Sequence, residues 1–262
     1  MKKRYLRKCA LLLLPSFIGV AVFYLIPFIR VIYYSLIENQ FSKKFVWFEN
    51  YKLVLQNTYF RMALKNSLFL IVIAVPVLVL AAFLLSVLLQ RLDGKWKLLR
   101  IAFIFPMLIP TASIVVVWRM LFQECESALP VYLLFIYKNV GLLMILFSAA
   151  FSTLDNSVFE AARLDGAGGL RIHVSITLPL IFPTVLFNVL LGVVYSFKIF
   201  RESYLYFGTN YPPDHSYTLQ YYMNNHFMKL NYQYLAAGAV LTSLLVYLIV
   251  LVGVKLQKKV SV

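Results

Sequence analysis

Residues 156–183, NSVFEAARLDGAGGLRIHVSITLPLIFP, hold the densest set of side chains whose types and spacing suit specific recognition. Residues 158–164 are good helix formers, with Phe159 and Ala162 three apart. Asp165-Gly166-Ala167-Gly168-Gly169 reads as a turn, because glycine accepts positive φ without a Cβ clash. Residues 170–176 can form a second short helix, with Leu170, Val174 and Thr177 on one side. Pro179 then opens an apolar run, where its missing N–H costs little. The expected product is a helix–turn–helix with Ala161, Ala162 and Gly166 as small residues near its tip, and Glu160, Arg163 and Asp165 as its charges. Such a protrusion suits a groove on another protein.

Further polar residues stand inside apolar surroundings. Lys138 is followed by Asn139 in an otherwise apolar stretch. A lysine at the centre of a bilayer costs about 2.5–3.5 kcal/mol, so it faces a cavity, pairs, or snorkels to an interface. Asn188, Gly192, Tyr195 and Ile199 recur at helical spacing. The stripe could line a pathway, since an amide donates and accepts and an aromatic face stacks on sugar rings. It could equally serve interhelical hydrogen bonding and close packing. Arg119 reads as an interfacial anchor with Glu124 or Glu126 as partner, and Lys198, Arg201 and Glu202 read as the outer end of their apolar run. The tyrosines of 204–234 read mostly as an interfacial belt. His173, His215 and His226 have no zinc-ligand spacing, so no metal is assigned. No G-x-x-x-x-G-K-[ST] motif occurs, so ATP is not bound in the P-loop manner and no cofactor is assigned.

The elements that must position these residues follow from composition. The 262 residues are 62% hydrophobic and 13% charged, against about 45–50% and about 25% in soluble domains. That leaves too little polar surface for a soluble globule and excludes a disordered chain. Six apolar runs, 9–29, 66–90, 101–118, 127–154, 174–197 and 230–254, approach or exceed the roughly 20 residues of a spanning helix. Their unbroken character favours helices over a barrel. With the N-terminus cytoplasmic, fourteen Lys and Arg fall in inside segments and six in outside loops. The basic excess of +15 therefore reads as membrane orientation and not as nucleic-acid binding. Cys9 and Cys125 then lie near opposite faces and cannot pair within the chain. The first run is longer than a signal-peptide core and reads as an uncleaved helix. Prolines 15, 27, 76, 106, 110, 130, 179 and 183 in or beside the runs suggest kinked, packed helices. The fold class expected is an all-α integral membrane protein with six transmembrane helices and both termini cytoplasmic, with a helix pair between spans four and five. Its parts are a first helix at 1–37, an extracytoplasmic loop at 38–65, a core at 66–256 containing the loop at 155–179, and a tail at 257–262.

Glu160-Ala161-Ala162, three residues, Gly166, nine residues and Ile176-Thr177-Leu178-Pro179 resemble the EAA loop of ABC importer permeases. Residues 66–122, with Pro106, Pro110, Trp118 and Phe122, resemble that family's second and third core helices. Phe197-Lys198-Ile199-Phe200 and Ala236-Ala237 resemble its carbohydrate-uptake branch, of the maltose and glycerol-phosphate permease type. The likeness covers roughly 60–256. It implies coupling helices that dock into a cytoplasmic ABC ATPase dimer, with Glu160 meeting a basic residue and Ala161, Ala162, Arg163, Asp165 and Gly166 around it. It further implies a second, usually non-identical permease, an extracytoplasmic solute-binding protein, a sugar substrate and a bacterial plasma membrane. Lys138, Asn139, Asn188, Gly192 and Tyr195 become the candidate substrate pathway. The alternatives are an importer for another solute and an ion-coupled secondary transporter. The latter is disfavoured because the six runs hold no Asp or Glu. The chain is not expected to be an enzyme.

Overall fold

The computed structural model describes residues 12–90, 98–123 and 125–257, and the backbone of 258–260. Cys9, Glu124 and the basic residues of 2–8 and 91–97 lie outside them, so the orientation reading is not addressed there. The described residues form helices α1 (Leu12–Ser35), α2 (Glu49–Gln56), α3 (Thr58–Gln90), α4 (Leu99–Leu108) and α5 (Thr111–Leu121). There follow α6 (Leu129–Phe151), α7 (Asn156–Leu164), α8 (169–180), α9 (Phe182–Phe207), α10 (Leu219–Met228) and α11 (Tyr232–Val260). Five of them, α1, α3, α6, α9 and α11, are long and apolar enough to cross a membrane.

The third expected span differs. It is the pair α4 and α5, bent by 102° at Ile109-Pro110, so the sixth crossing is a broken one if the pair crosses at all. Ile109 adopts ψ 137° because a residue before proline is driven from the helical region. Three other prolines leave a common signature. The segments Ala21–Leu25, Leu70–Ala74 and His173–Thr177 are π-helical, and Pro27, Pro76 and Pro179 each follow two residues later. Each is a five-residue turn, as where Ile26 N–H bonds Ala21 O and Leu178 N–H bonds His173 O.

The chain divides into two compact units. The first combines residues up to Arg61 with Tyr222–Leu245. In it α1 has no buried residue in its apolar window, as expected of a lipid-facing helix. Asn50, buried on α2, donates to Ser35 O and Ile37 O and so ties the end of α1 to the following loop. Phe60 meets Tyr222 edge to face at 5.2 Å.

The second unit, Met62–Tyr221 with Val246–Val262, holds the sites described below. Its core is the seam between α3 and α6, where Leu78, Ala82, Leu143, Met144 and Phe147 are fully buried. Phe83 packs edge to face on Phe147 at 5.6 Å and on Phe151 at 5.8 Å. Gly141 on α6 lies against the backbone carbonyl of Phe103 on α4, so closely that a Cβ would overlap it. Gly192 on α9 makes room for Val75 of α3, whose Cγ1 would lie 2.7 Å from an added Cβ. Small residues at such crossings let helices approach where lipid supplies no hydrophobic drive.

Candidate functional site

The helix–turn–helix is built by hydrogen bonds at both ends of α7. Asp155 precedes the helix in extended conformation, and its Oδ1 accepts from Ser157 N–H at 3.0 Å. The amide and then the hydroxyl of Ser157 hold the Asp155 carboxyl below the usual carboxylate range. At the other end, Ala167 N–H bonds Ala162 O at 2.9 Å and Gly166 N–H bonds Arg163 O at 3.0 Å. This pair is a Schellman closure. Gly166 is its left-handed residue at φ 76°, with nothing within 4 Å of where a Cβ would stand. Among the described residues, glycine is needed there for the backbone angle and not for space.

α7 turns Ala162 inward, with Phe159 partly buried beside it, and leaves Glu160, Ala161, Arg163 and Asp165 exposed. Ala162 therefore supports the presented face from behind. Leu164 is 89% exposed and Leu170 is 81% exposed on either side of the turn. Their prominence was missed in the sequence, although large apolar residues bracketing a glycine-rich turn are a readable signal. Thr177 does not share the face of Leu170 and Val174. It is 1% exposed, and its hydroxyl donates to Ile172 O, five residues back. The π turn at His173–Thr177 adds a residue and rotates Thr177 inward. Behind the pair lies a cavity of about 530 Å³ lined by Glu160, Arg163 and His173, with Gln90 at the end of α3 and Phe151 at the end of α6.

The second site lies within α4, α6 and α9. Lys138 Nζ donates to Glu202 Oε1 at 2.5 Å and to Thr111 Oγ1 at 2.8 Å. Both charged side chains are mostly buried, at 13% and 14% exposure. Lys138 thus pairs, which answers the sequence question of how its charge is carried. The carboxylate comes from a residue the sequence reading set beyond the end of the fifth span. α9 continues through Phe207, so Glu202 lies inside the helix that is apolar enough to cross. The fifth apolar run itself, 174–197, holds no Asp or Glu, and Glu202 lies five residues past its end on the same helix. Thr111 begins α5 just past the break at Pro110, so Lys138 also pins that break.

A pocket of about 220 Å³ here is lined by Lys138, Asn139, Tyr195, Lys198 and Glu202. Three of the five candidate pathway residues are therefore together. Asn188 and Gly192 are not among them. Asn188 is buried and donates to Leu143 O at 3.4 Å, and Gly192 accommodates Val75. Both thus lie at helix crossings, and Asn188 Oδ1 is buried without a partner among the described residues. Arg119 and Glu126 do not pair and instead flank a separate groove of about 540 Å³ with Tyr206 and Phe207. The tyrosines also depart from an interfacial belt, because Tyr206, Tyr217, Tyr221 and Tyr222 are buried. Burial raises the Tyr221 hydroxyl to about 12, and its O–H donates to Ser203 Oγ at 3.1 Å. Among the described residues no group of His, Cys, Asp and Glu could hold a metal ion.

Comparison with known proteins agrees with this architecture. The chain is 27% identical over 275 residues to the arabinooligosaccharides transport system permease protein AraP of Bacillus subtilis (strain 168), spanning 93% of this chain and 86% of that one. It is 27% identical to the sn-glycerol-3-phosphate transport system permease protein UgpA of Yersinia pestis bv. Antiqua (strain Antiqua), over 71% of this chain and 72% of that one. The fold is shared with a chain of a bacterial ABC transporter involved in the import of the acidic polysaccharide alginate, with TM-score 0.80 at 20% identity over 98% and 96% of the two chains. Residues 68–262 match the model of one family over most of the chain. The chain is thus a multi-pass membrane transport component, not an enzyme, and belongs to the binding-protein-dependent transport system inner membrane components.

Proposed function

We propose that this chain is the permease of an ATP-driven sugar importer of a bacterial plasma membrane, with both termini cytoplasmic. The relatives that transport arabinooligosaccharides and lactose support the sugar class. The observation that carries the coupling role is the outward-facing helix pair, closed by its own hydrogen bonds and topped by exposed Glu160, Leu164 and Leu170. It would enter a cleft on a separate ATPase subunit, with Glu160 meeting a cation and Ala161, Arg163, Asp165 and Gly166 around it. Ala162 holds the presented face from the inner side. Nucleotide-driven closure of the ATPase dimer would move α7 and α8 as a rigid body. The spanning helices would then rock against a second, non-identical permease. Sugar delivered by an extracytoplasmic binding protein would pass the pocket of Lys138, Asn139 and Tyr195, with Asn188 and Gly192 serving the helix crossings beside it. Ion coupling is disfavoured, since the six apolar runs hold no Asp or Glu and Glu202 beyond the fifth is already paired with Lys138.

Gentle affinity purification of the tagged chain from its native membrane tests the assembly. Mass spectrometry is expected to recover an ATPase and a second multi-span permease. Recovery of this chain alone, where a control importer stays intact, contradicts the proposal.

A further inference from the structure

The pocket lined by Lys138, Asn139, Tyr195, Lys198 and Glu202 carries an imbalance of charge and of hydrogen bonds. Lys138 is consumed by Glu202 Oε1 and Thr111. Glu202 Oε2 is buried and meets no donor among the described residues. Lys198 makes no ion pair there; its ammonium lies 5.3 Å from the centroid of the Tyr195 ring. The lining thus presents one unused acceptor and one exposed cation that has no carboxylate partner and lies over the Tyr195 ring. Among the described residues no other charged side chain lines the pocket, and the formal charge of that lining is that of Lys198. A buried carboxylate oxygen calls for a donor, and an ammonium enclosed by a ligand calls for an anion. A neutral sugar supplies hydroxyls to Glu202 but leaves Lys198 desolvated without a counter-charge. A cationic ligand would meet Lys198 as a like charge. The volume of about 220 Å³ lies below the roughly 300–1,000 Å³ of a typical small-molecule site, so a single sugar unit fits it best.

We infer that this pocket selects an anionic sugar unit, such as a uronate or a sugar phosphate, through Lys198, while Glu202 Oε2 accepts a ring hydroxyl. This rests on the reading of the pocket as part of the substrate pathway. Lys198 is then a specificity residue and Glu202 a contact residue, with Lys138 and Thr111 positioning the carboxylate. Because Lys198 is exposed at the helix surface, its replacement spares the fold.

The purified importer complex can be titrated with galactose, glucose, galacturonate, glucuronate and glucose 6-phosphate, reading the shift of the thermal unfolding midpoint. The uronates or the phosphate are expected to bind at least tenfold more tightly than the neutral sugars, and which of the two anions is favoured identifies its source chemistry. Lys198→Gln should bring anionic and neutral sugars to equal affinity, Lys198→Arg should keep the preference, and added salt should shrink it. Equal binding of neutral and anionic sugars by the unaltered complex overturns the anionic inference and leaves the pathway reading standing. A preference that survives Lys198→Gln overturns the role of Lys198. Binding of none of the five sugars overturns both readings.

Discussion

The α7–α8 tip and the α3–α6 seam are held by opposite means. In the seam, Phe83, Leu143, Met144 and Phe147 are buried against one another, and Gly141 lets α4 lie against α6. At the tip, shape comes from the Asp155 cap and the Schellman bonds, while Leu164 and Leu170 stand exposed among the described residues. A region shaped by packing spends its apolar side chains inward. One shaped by backbone hydrogen bonds keeps them free for a partner. Substitutions in the seam should therefore cost folding, and substitutions at the tip should cost function first.

The sharpest way to break this contrast is at Gly141. Any side chain there meets the Phe103 backbone, which cannot yield as a flexible side chain can. Gly141→Leu is expected to abolish accumulation of folded protein, and Gly141→Ala to cost at least the roughly 1–3 kcal/mol of an overpacked core. Membrane yield and thermal unfolding measure both. Next in size is the ion pair. Lys138→Ala strands the Glu202 carboxylate and should cost about 3–5 kcal/mol, whereas Lys138→Ala with Glu202→Ala together should cost less than the single change. A double-mutant cycle on thermal stability reads the difference, and a strictly additive cycle contradicts the pairing.

At the tip the expected effects on stability are smaller. Gly166→Ala must hold φ 76° with a Cβ and should cost about 1 kcal/mol locally. Hydrogen exchange of α7 should rise while the midpoint of global unfolding barely moves. Asp155→Ala should loosen only the first turn, and Asp155→Asn should be close to silent, because asparagine caps as well. The Asp155 carboxyl titrates below its unfolded value. Its contribution is therefore complete above the ordinary carboxylate range near pH 4 and fades as acid protonates it, with no change expected between pH 6 and 8.

Much of this was legible in the sequence, for identifiable reasons. Hydropathy reports local composition, so it marked the long apolar runs, and the spacing from Glu160 to Pro179 marked the tip. The glycine turn was legible because positive φ leaves a residue-type signature, and Gly166 has it. Three features were hidden because they depend on distant residues. Gly141 looks like any small residue until α4 lies against it. Glu202 looked like a helix end, since a charge lowers local hydropathy whether or not Lys138 waits across the bundle. Pro106 and Pro110 are alike in sequence, yet Pro106 sits inside α4 while Pro110 breaks the pair by 102°. The face of Thr177 was misplaced for a related reason, because a π turn alters the helical period that assigns faces.

The central claim is that the tip couples this chain to an ATPase through Glu160. The direct measurement is substrate-stimulated ATP hydrolysis by the reconstituted importer carrying Glu160→Lys. Glu160 is exposed, so the variant is expected to insert and assemble its spans normally while stimulation falls to the basal rate. Undiminished stimulation in a normally inserted variant would contradict the account.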